Sequence, residues 1–223
     1  WLDGAVLAGP PAGDADWELW LDHYCQIHAL TPADTALPIV EATLNVSSAA
    51  AGRRLIAEHL DRLPPAERPR SLLALLRRFA AWDEPRWAAP PRAMCRVDPN
   101  WRNFIRRPGD WASVDWENSG WGDPAFELAD VMTHPAYAAT AAERWDWLAA
   151  AYAERRRDPG AAVRARAYRT IMLVWWSVRW MRYLYEVPRG LDPRLAARPA
   201  DWRQVAEHQY ERYLALAGAA LDG

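Results

Sequence analysis

An aspartate and an asparagine stand five positions apart in the segment CRVDPNWRNF, as Asp98 and Asn103, and Asp115 follows in the segment ASVDWENSGW. Phosphoryl transfer needs one carboxylate that orients the attacking hydroxyl and takes its proton, and oxygen ligands that hold Mg²⁺ on the nucleotide phosphates. Mg²⁺ prefers one or two carboxylates together with phosphate and water oxygens. These three side chains therefore supply the groups that this chemistry requires.

A β-hairpin is predicted to bring the two aspartates together. Two short strand-like runs, residues 103–106 and 111–116, flank turn-forming residues at 107–110. In an antiparallel hairpin, the loop before the first strand lies beside the end of the second. Asp98 and Asp115 are therefore expected to face one small volume.

The rest of the chain is predicted to be largely helical. The first helix is expected to be capped by Asp14 or Asp16, to end near residues 31–32, and to bury one apolar face formed by Trp17, Trp20, Leu21, Tyr24 and Ile27. Further helices are predicted over about residues 47–60, 71–82, 158–188 and 201–218. A capping box of Thr140 and Glu143 predicts another helix through Tyr152. Residues 1–13 are expected to form a short extended piece and a turn.

The composition is that of an ordinary globular protein, and it argues against several classes of function. The 223 residues, 51% hydrophobic and 25% charged, suffice for one large domain or two small ones. A net charge of -2 provides no basic field for nucleic acid, and the longest apolar run, residues 171–178, is far too short to span a membrane. Cys25 and Cys95 lack the spacing of a zinc site or a disulfide framework, so a reducing cytoplasm is predicted.

The two chemistry-bearing segments resemble the carboxy-terminal lobe of the aminoglycoside phosphotransferase and choline kinase-like superfamily. That family's pattern is roughly H-G-D-x-x-x-x-N, then I-D-W-E, then G-D-P-A-x-D-L-A, and residues 96–130 follow it in the same order. The resemblance implies that Asp98 is the catalytic aspartate and that Asn103 and Asp115 are magnesium ligands. It also implies an enzyme that uses Mg²⁺, with ATP or GTP as co-substrate, to phosphorylate a hydroxyl of a small molecule.

The fold implied by the resemblance is a protein-kinase-like carboxy-terminal lobe, mainly α with a small β-hairpin. Residues 1–13 would form a hinge-like segment, and residues 14–223 a helical lobe whose catalytic loop and hairpin lie at 95–117. Such kinases hold the nucleotide phosphates with a lysine on a strand of the amino-terminal lobe, whereas all 27 basic residues of this chain are arginine. An amino-terminal lobe is therefore expected before Trp1, which would make the fold α+β overall. Degeneration into a pseudokinase is the alternative.

Two arginines, Arg96 and Arg102, lie in the same segment as Asp98 and Asn103. The family histidine two positions before the aspartate is Arg96 here, and the adjacent glycine is Val97. Arginine has enough N–H donors to brace the loop by hydrogen bonds to the backbone, as the resemblance implies for the histidine. Arg102, just before Asn103, is expected to steady Asp98 or a transferred phosphate.

Each candidate residue also has an ordinary structural explanation. Asp98 and Asn103 suit an Asx turn, and Asp115 could be a solvent-exposed strand residue. Glu117 is a further candidate magnesium ligand if strand geometry persists to it, and a surface salt bridge explains it equally well. Asp123 is expected to bond backbone groups at the start of the helix at residue 124 rather than a ligand. The histidines are expected to be packing or surface residues; they are His23, His28, His59, His134 and His208.

The acceptor is left open between several classes. An aromatic cluster on the long helix favours a bulky core, or an acceptor pocket that binds a quaternary ammonium group or a sugar; its members are Trp175, Trp176, Trp180, Tyr183 and Tyr185. An aminoglycoside pocket would instead need many carboxylates, for which the candidates are Glu186, Asp192, Asp201, Glu207 and Glu211. The function expected is an aminoglycoside phosphotransferase-like kinase. A choline or amino-alcohol kinase and a non-catalytic binding protein on a kinase scaffold are the alternatives.

Overall fold

The structure is a computed structural model that describes residues 3–191 and 198–222. The helices are α1 (Asp14–Ile27), α2 (Ala49–Asp61), α3 (Arg70–Ala81), α4 (Pro124–Thr133), α5 (Ala142–Arg156), α6 (Ala161–Glu186) and α7 (Trp202–Ala220). The strands are β1 (Ala5–Val6), β2 (Ala93–Cys95), β3 (Phe104–Arg107), β4 (Asp110–Ser113) and β5 (Gly120–Gly122). The described residues are thus mainly helical with two small sheets, which confirms the predicted fold class. None of the described helices combines the length and the apolar character needed to cross a membrane.

The predicted helices are all present, but α1 ends at Ile27, before the predicted residues 31–32, and α6 starts at Ala161 rather than at residue 158. Two predicted caps are also wrong. Helix α1 starts at Asp14, so Asp14 and Asp16 lie in its first turn and do not cap it. Acidic side chains are still favourable there, because the helix N-terminus carries partial positive charge. The predicted capping box of Thr140 and Glu143 is absent, since α5 starts only at residue 142. The N–H of Thr140 instead donates to the carbonyl of Tyr137, so this residue still belongs to the preceding turn.

The chain folds into two compact units. The first contains Trp1–Ser48 and Pro85–Arg169, and the second contains Ala49–Glu84 and Thr170–Gly223. The division falls inside α6. All the residues that carry the predicted chemistry belong to the first unit.

Helix α1 packs against β4 and α5 in the first unit. Trp20 and Tyr24 lie on one face of α1, as their four-residue spacing predicts, with ring centroids 4.0 Å apart. The ring of Phe104 lies 5.9 Å from that of Tyr24, and all three side chains are fully buried. This aromatic core fixes the start of β3, next to the segment that contains Asp98.

The predicted hairpin is present. Strands β3 and β4 pair antiparallel from Phe104 opposite Ser113 to Arg107 opposite Asp110, and β1 adds to the other edge of β3. The turn contains Gly109 at a φ of 81°, a conformation that glycine adopts without steric cost. Strand β4 ends at Ser113, earlier than predicted, so Asp115 lies beyond the strand.

The second unit is built from α2, α3, α7 and the later part of α6. Helix α3 buries Leu72, Leu75 and Phe79 along one face and packs against α7. Leu76, which the periodicity also predicts on that face, is only half-buried. Ser71 and Tyr210 join these two helices through their hydroxyls, which lie 3.1 Å apart.

The aromatic cluster of α6 is only partly a buried core. Trp175 is buried, at 6% exposure, whereas the other members are half-buried. Trp176 stacks on Tyr213 of α7, with ring centroids 5.6 Å apart. The core interpretation therefore holds for the inner edge of the cluster, and the outer edge reaches the surface of the second unit.

Candidate active site

The segment of residues 96–100, here the Asp98 loop, leads from β2 into a short 3-10 turn at Trp101–Asn103 and then into β3. Val97 and Asp98 have positive φ angles of 58° and 56°. This left-handed conformation costs a non-glycine residue about 1–2 kcal/mol. Such strain persists only where surrounding contacts impose it, and the loop is held by contacts on both of its sides.

Arg96 holds the loop from within, through a side chain that is fully buried. Its Nη1 donates to the carbonyl oxygens of Val97 at 3.2 Å and Asp98 at 2.5 Å, and its Nη2 donates to the carbonyl of Val114 at 2.9 Å. The guanidinium also lies 4.8 Å from the centre of the Phe104 ring, a cation–π contact. One arginine therefore fastens the Asp98 loop to the segment after β4, as a brace made of backbone hydrogen bonds.

Glu127 of α4 holds the same loop from the other side. Its carboxylate accepts the backbone N–H of Arg96, at 3.1 and 3.0 Å to its two oxygens, and that of Val97 at 2.8 Å. His28, which follows α1, places Nε2 2.8 Å from the same carboxylate and Nδ1 2.9 Å from the hydroxyl of Tyr152. Expected from the sequence to be a packing or surface residue, His28 is a fully buried link between α1, α4 and α5.

The buried residues around Glu127 also have the composition of a metal site. His28, Cys95 and Glu127 are buried and lie close enough together to share an ion. Burial raises the pKa of the Cys95 thiol well above its usual value, and metals bind the thiolate rather than the thiol. The carboxylate of Glu127 is already engaged by two backbone N–H groups and by His28. We therefore interpret these residues as structural.

Asp98, Asn103 and Asp115 form one hydrogen-bonded group, here called the acidic group. The Nδ2 of Asn103 donates to Oδ2 of Asp98 at 3.2 Å and lies 3.4 Å from Oδ2 of Asp115. The backbone N–H of Asn100 donates to Oδ1 of Asp98 at 3.2 Å. Asp115 lies in the left-handed region, with a φ of 63°, which turns the chain after β4. Carboxylate and amide oxygens are the donors that suit Mg²⁺, so the residues present fit this ion.

Arg102 and Glu117 lie apart from the acidic group. The Arg102 side chain is exposed, and its guanidinium lies 5.1 Å from the centre of the Trp101 ring. Glu117 is exposed in a turn, because β4 ends at Ser113 and the extended geometry on which its candidacy depended does not continue. Within the part of the chain that the structure describes, neither side chain is hydrogen-bonded to Asp98, Asn103 or Asp115.

Two further titratable residues of the α4 region face the Asp98 loop. Asp130 is buried, and its pKa is raised to about 8 by burial and by the charges of Glu127 and Asp98, with an opposing hydrogen bond from the Asp98 backbone. His134 follows α4, and its Nε2 lies 4.0 Å from Oδ1 of Asp98. Burial lowers the pKa of His134 to about 4. The sequence analysis missed Asp130 altogether and expected His134 to be a packing or surface residue, since only the fold brings the end of α4 beside the loop.

Asp123 is a structural residue, as expected. It is the N-cap of α4, and its Oδ1 accepts the N–H of Ala125 at 2.9 Å. Its carboxylate also accepts from Arg164 Nε at 2.9 Å and from the hydroxyl of Tyr168 at 2.8 Å. The side chain is 1% exposed, so these buried donors saturate it.

A protein-family model matches most of the chain. The model of the phosphotransferase enzyme family (APH) matches residues 1–167, which include the Asp98 loop, the acidic group and α4. The chain belongs to this family. A comparison with curated protein sequences found no match.

Solved structures resemble this phosphotransferase family member in fold. A choline/ethanolamine kinase family protein from Mesorhizobium loti has a TM-score of 0.58 at 19% identity, over 92% of this chain and 63% of its own. A protein from Ralstonia eutropha assigned as an aminoglycoside phosphotransferase has a TM-score of 0.64 at 14% identity, over 100% of this chain and 70% of its own. Aminoglycoside 2'-phosphotransferase-IIIa has a TM-score of 0.54 at 13% identity, over 88% and 60%. This chain thus spans about two thirds of the length of these similar structures.

Proposed function

We propose that this phosphotransferase family member transfers the γ-phosphoryl group of ATP or GTP to a hydroxyl of a small molecule. The observation that carries the proposal is the acidic group, which lies on a strained loop that Arg96 and Glu127 hold in place. An Asx turn alone would account for the hydrogen bonds of Asp98 to its own loop. It would not account for Asp115, which the hairpin returns to the same asparagine 12 positions along the chain.

Each member of the acidic group has a separate role in this proposal. Asp98, whose side chain is 36% exposed, orients the acceptor hydroxyl and takes its proton. Asn103 and Asp115 offer an amide and a carboxylate oxygen to Mg²⁺, which when bound neutralises charge on the transferring phosphates. Arg102 and Glu117 remain proposals as phosphate and metal contacts, and each requires its exposed side chain to turn toward the acidic group.

The nucleotide has contacts that this chain does not supply. The sequence contains no lysine, so a lysine that pairs with the nucleotide phosphates would come from outside these 223 residues. We propose that an amino-terminal lobe provides it, as in other kinases of this type. Among the similar structures, aminoglycoside 2'-phosphotransferase-IIIa was solved with GDP, so GTP should be tested beside ATP.

The aromatic cluster and most of the carboxylates that the sequence offers for an acceptor pocket belong to the second unit. Guanidinium groups already lie over its aromatic rings: Arg179 is 5.8 Å from Tyr183, and Arg212 is 5.4 Å from Tyr213. Such rings are poor sites for a second cation, which disfavours choline at this surface.

The carboxylate candidates for an aminoglycoside are also dispersed. Glu186 is buried against Arg182 at 2.8 Å, Asp192 lies outside the described residues, and the others are exposed on α7 or beside it. The aminoglycoside-like and amino-alcohol kinases both remain candidates.

Asp98→Asn in the full-length protein tests the proposal. Loss of a general base costs about 10²–10⁴-fold in rate, so phosphorylation with MgATP or MgGTP should fall by that factor while nucleotide binding stays near wild type. The matched control is Asp110→Asn, the same chemical change at the start of β4, away from the acidic group. Undiminished turnover by the Asp98 variant would end the proposal.

The rival hypothesis, a non-catalytic binding protein, makes a different prediction. It expects no Mg²⁺-dependent nucleotide binding and no transfer to any acceptor in a panel of kanamycin, choline and ethanolamine. Isothermal titration with MgATP and MgGTP, followed by the acceptor panel, distinguishes the two hypotheses and also separates the acceptor classes.

A further inference from the structure

His134 lies where two elements meet beside the Asp98 loop. Its backbone N–H donates to the carbonyl of Asp130 at 2.8 Å, at the end of α4. The 3-10 turn that follows, Pro135–Tyr137, is fastened to the loop because the Tyr137 hydroxyl donates to the carbonyl of Pro99 at 2.8 Å. The position of the His134 ring relative to Asp98 is therefore fixed by contacts on both sides.

The hydrogen bond at one ring nitrogen identifies which nitrogen carries the proton. The Nδ1 of His134 lies 3.2 Å from the backbone nitrogen of Ala136 and caps the 3-10 turn. A backbone N–H can only donate, so Nδ1 must present its lone pair. The ring hydrogen of a neutral histidine is then on Nε2, and the lowered pKa of about 4 keeps the ring neutral. His134 therefore points an N–H toward Asp98.

The distance between the two groups leaves space for one atom. Nε2 lies 4.0 Å from Oδ1 of Asp98, which is too long for a direct hydrogen bond. A gap of this size between two polar groups is one that a bridging oxygen can fill, since it could lie about 2.8 Å from both. Both side chains reach solvent, at 16% exposure for His134 and 36% for Asp98.

We propose that His134 is an acceptor-binding residue, whose Nε2–H donates to the oxygen of the acceptor hydroxyl while the hydrogen of that hydroxyl points to Oδ1 of Asp98. The proposal rests on the proposed kinase function and adds a second contact to the reacting atom. The hydroxyl oxygen has two lone pairs, and His134 occupies one, so the other is directed at the γ-phosphorus. As the new O–P bond forms and the bond to the nucleoside diphosphate breaks, Asp98 takes the proton and His134 keeps its own.

This arrangement selects for the chemical class of the acceptor. A hydroxyl can accept the hydrogen bond from His134 and donate to Asp98 at the same time. A protonated amine has no lone pair to accept that hydrogen bond. The site is therefore built for alcohol groups, and water can occupy the same place and give slow nucleotide hydrolysis.

Two substitutions separate this role from that of a turn cap. His134→Asn keeps an acceptor where Nδ1 lies, so the cap on Ala136 survives, but it removes the Nε2–H. His134→Gln can place an N–H near the Nε2 position but loses the cap. In the full-length protein with MgATP and water as acceptor, we expect hydrolysis by His134→Asn to fall about tenfold or more, the factor that one lost hydrogen bond accounts for. His134→Gln should stay within a few-fold of wild type, although it melts earlier.

The outcomes distinguish this inference from the proposed function. If the Asn variant is as active as wild type, or the Gln variant is the less active of the two, His134 is only a cap and the inference is wrong, even where Asp98→Asn is inactive. If wild type itself turns over neither MgATP nor MgGTP, with or without the acceptor panel, the proposed function fails and the inference with it. ¹⁵N NMR of the histidine rings gives a test that does not depend on activity: a hydrogen on Nδ1 of His134 in the resting protein would overturn the inference.

Discussion

Replacing Arg96 by methionine tests whether one buried arginine holds the Asp98 loop. Methionine keeps the apolar stem but has no N–H donor, so the carbonyls of Val97, Asp98 and Val114 each lose a partner. An unpaired buried acceptor costs about 1–3 kcal/mol, and the lower value applies here because two of these bonds are only partly buried. The three carbonyls then cost about 3 kcal/mol, of which the recovered desolvation energy of the guanidinium offsets a part.

The expected result is a clear loss of thermal stability. About 2–3 kcal/mol corresponds to roughly 5–10 °C in the Tm of a cooperative unit of about 150–250 residues, measured by differential scanning calorimetry as the transition that contains this lobe in the full-length protein. Arg96→Lys keeps the charge but lacks the planar guanidinium, so its Tm should lie between those of wild type and Arg96→Met. The matched control is Arg106→Met, because the Arg106 side chain on β3 is exposed and loss of its surface ion pair with Asp16 costs about 0–1 kcal/mol. If both methionine variants shift Tm equally, the brace contributes nothing and the explanation of the loop strain is refuted.

Two more predictions concern the residues around the loop. The folded protein holds a proton on Asp130, whose pKa is about 8, that the unfolded chain releases near pH 3.8; stability should therefore fall as pH rises from about 4 to about 8, by up to 1.4 kcal/mol per pH unit. Asp130→Asn should remove this slope, so the Tm difference between wild type and variant, measured across that range, should change in favour of the variant as pH rises; a constant difference would contradict the raised pKa. For the metal, Asp115→Asn should increase the Mg²⁺ concentration that gives half-maximal turnover by about tenfold or more, whereas Glu117→Gln, two positions on and exposed, should change it little. Equal effects would place both carboxylates at the metal.

The hydrophobic periodicity predicted most of the helices, because each buries one face that repeats with the helical period. Helix α3 is an example, because three of the four residues that its periodicity predicts on the core face are buried. Capping was harder to predict, since Thr140 and Glu143 have the spacing of a capping box but the chain at Thr140 is still bonded to the turn before it. The spacing of a capping box does not show whether the backbone at its first residue is already hydrogen-bonded to a preceding turn.

The acidic group was accessible to sequence reasoning because ordered motifs and a hairpin turn bring its members together. The buried residues that hold the Asp98 loop in place could not be predicted in this way. His28 and Glu127 are 99 positions apart in the chain, and no periodicity relates them. His134 was missed for the same reason, because its relation to Asp98 depends on where α4 ends. Glu117 was over-weighted, since its candidacy required a strand that ends at Ser113.

The brace around Glu127 also links the chemistry to the completion of folding. Its hydrogen bonds join α1, the Asp98 loop and α4, which are distant in sequence, and loop-closure entropy must be overcome before such contacts form. Until His28, Arg96 and Glu127 have assembled, the hydrogen bonds that hold Val97 and Asp98 in the left-handed region from both sides are missing, and Asp98 is free to relax to an ordinary turn. A partly folded chain would therefore lack the reactive geometry, so the recovery of activity on refolding should report the long-range assembly of the first unit rather than the formation of its helices.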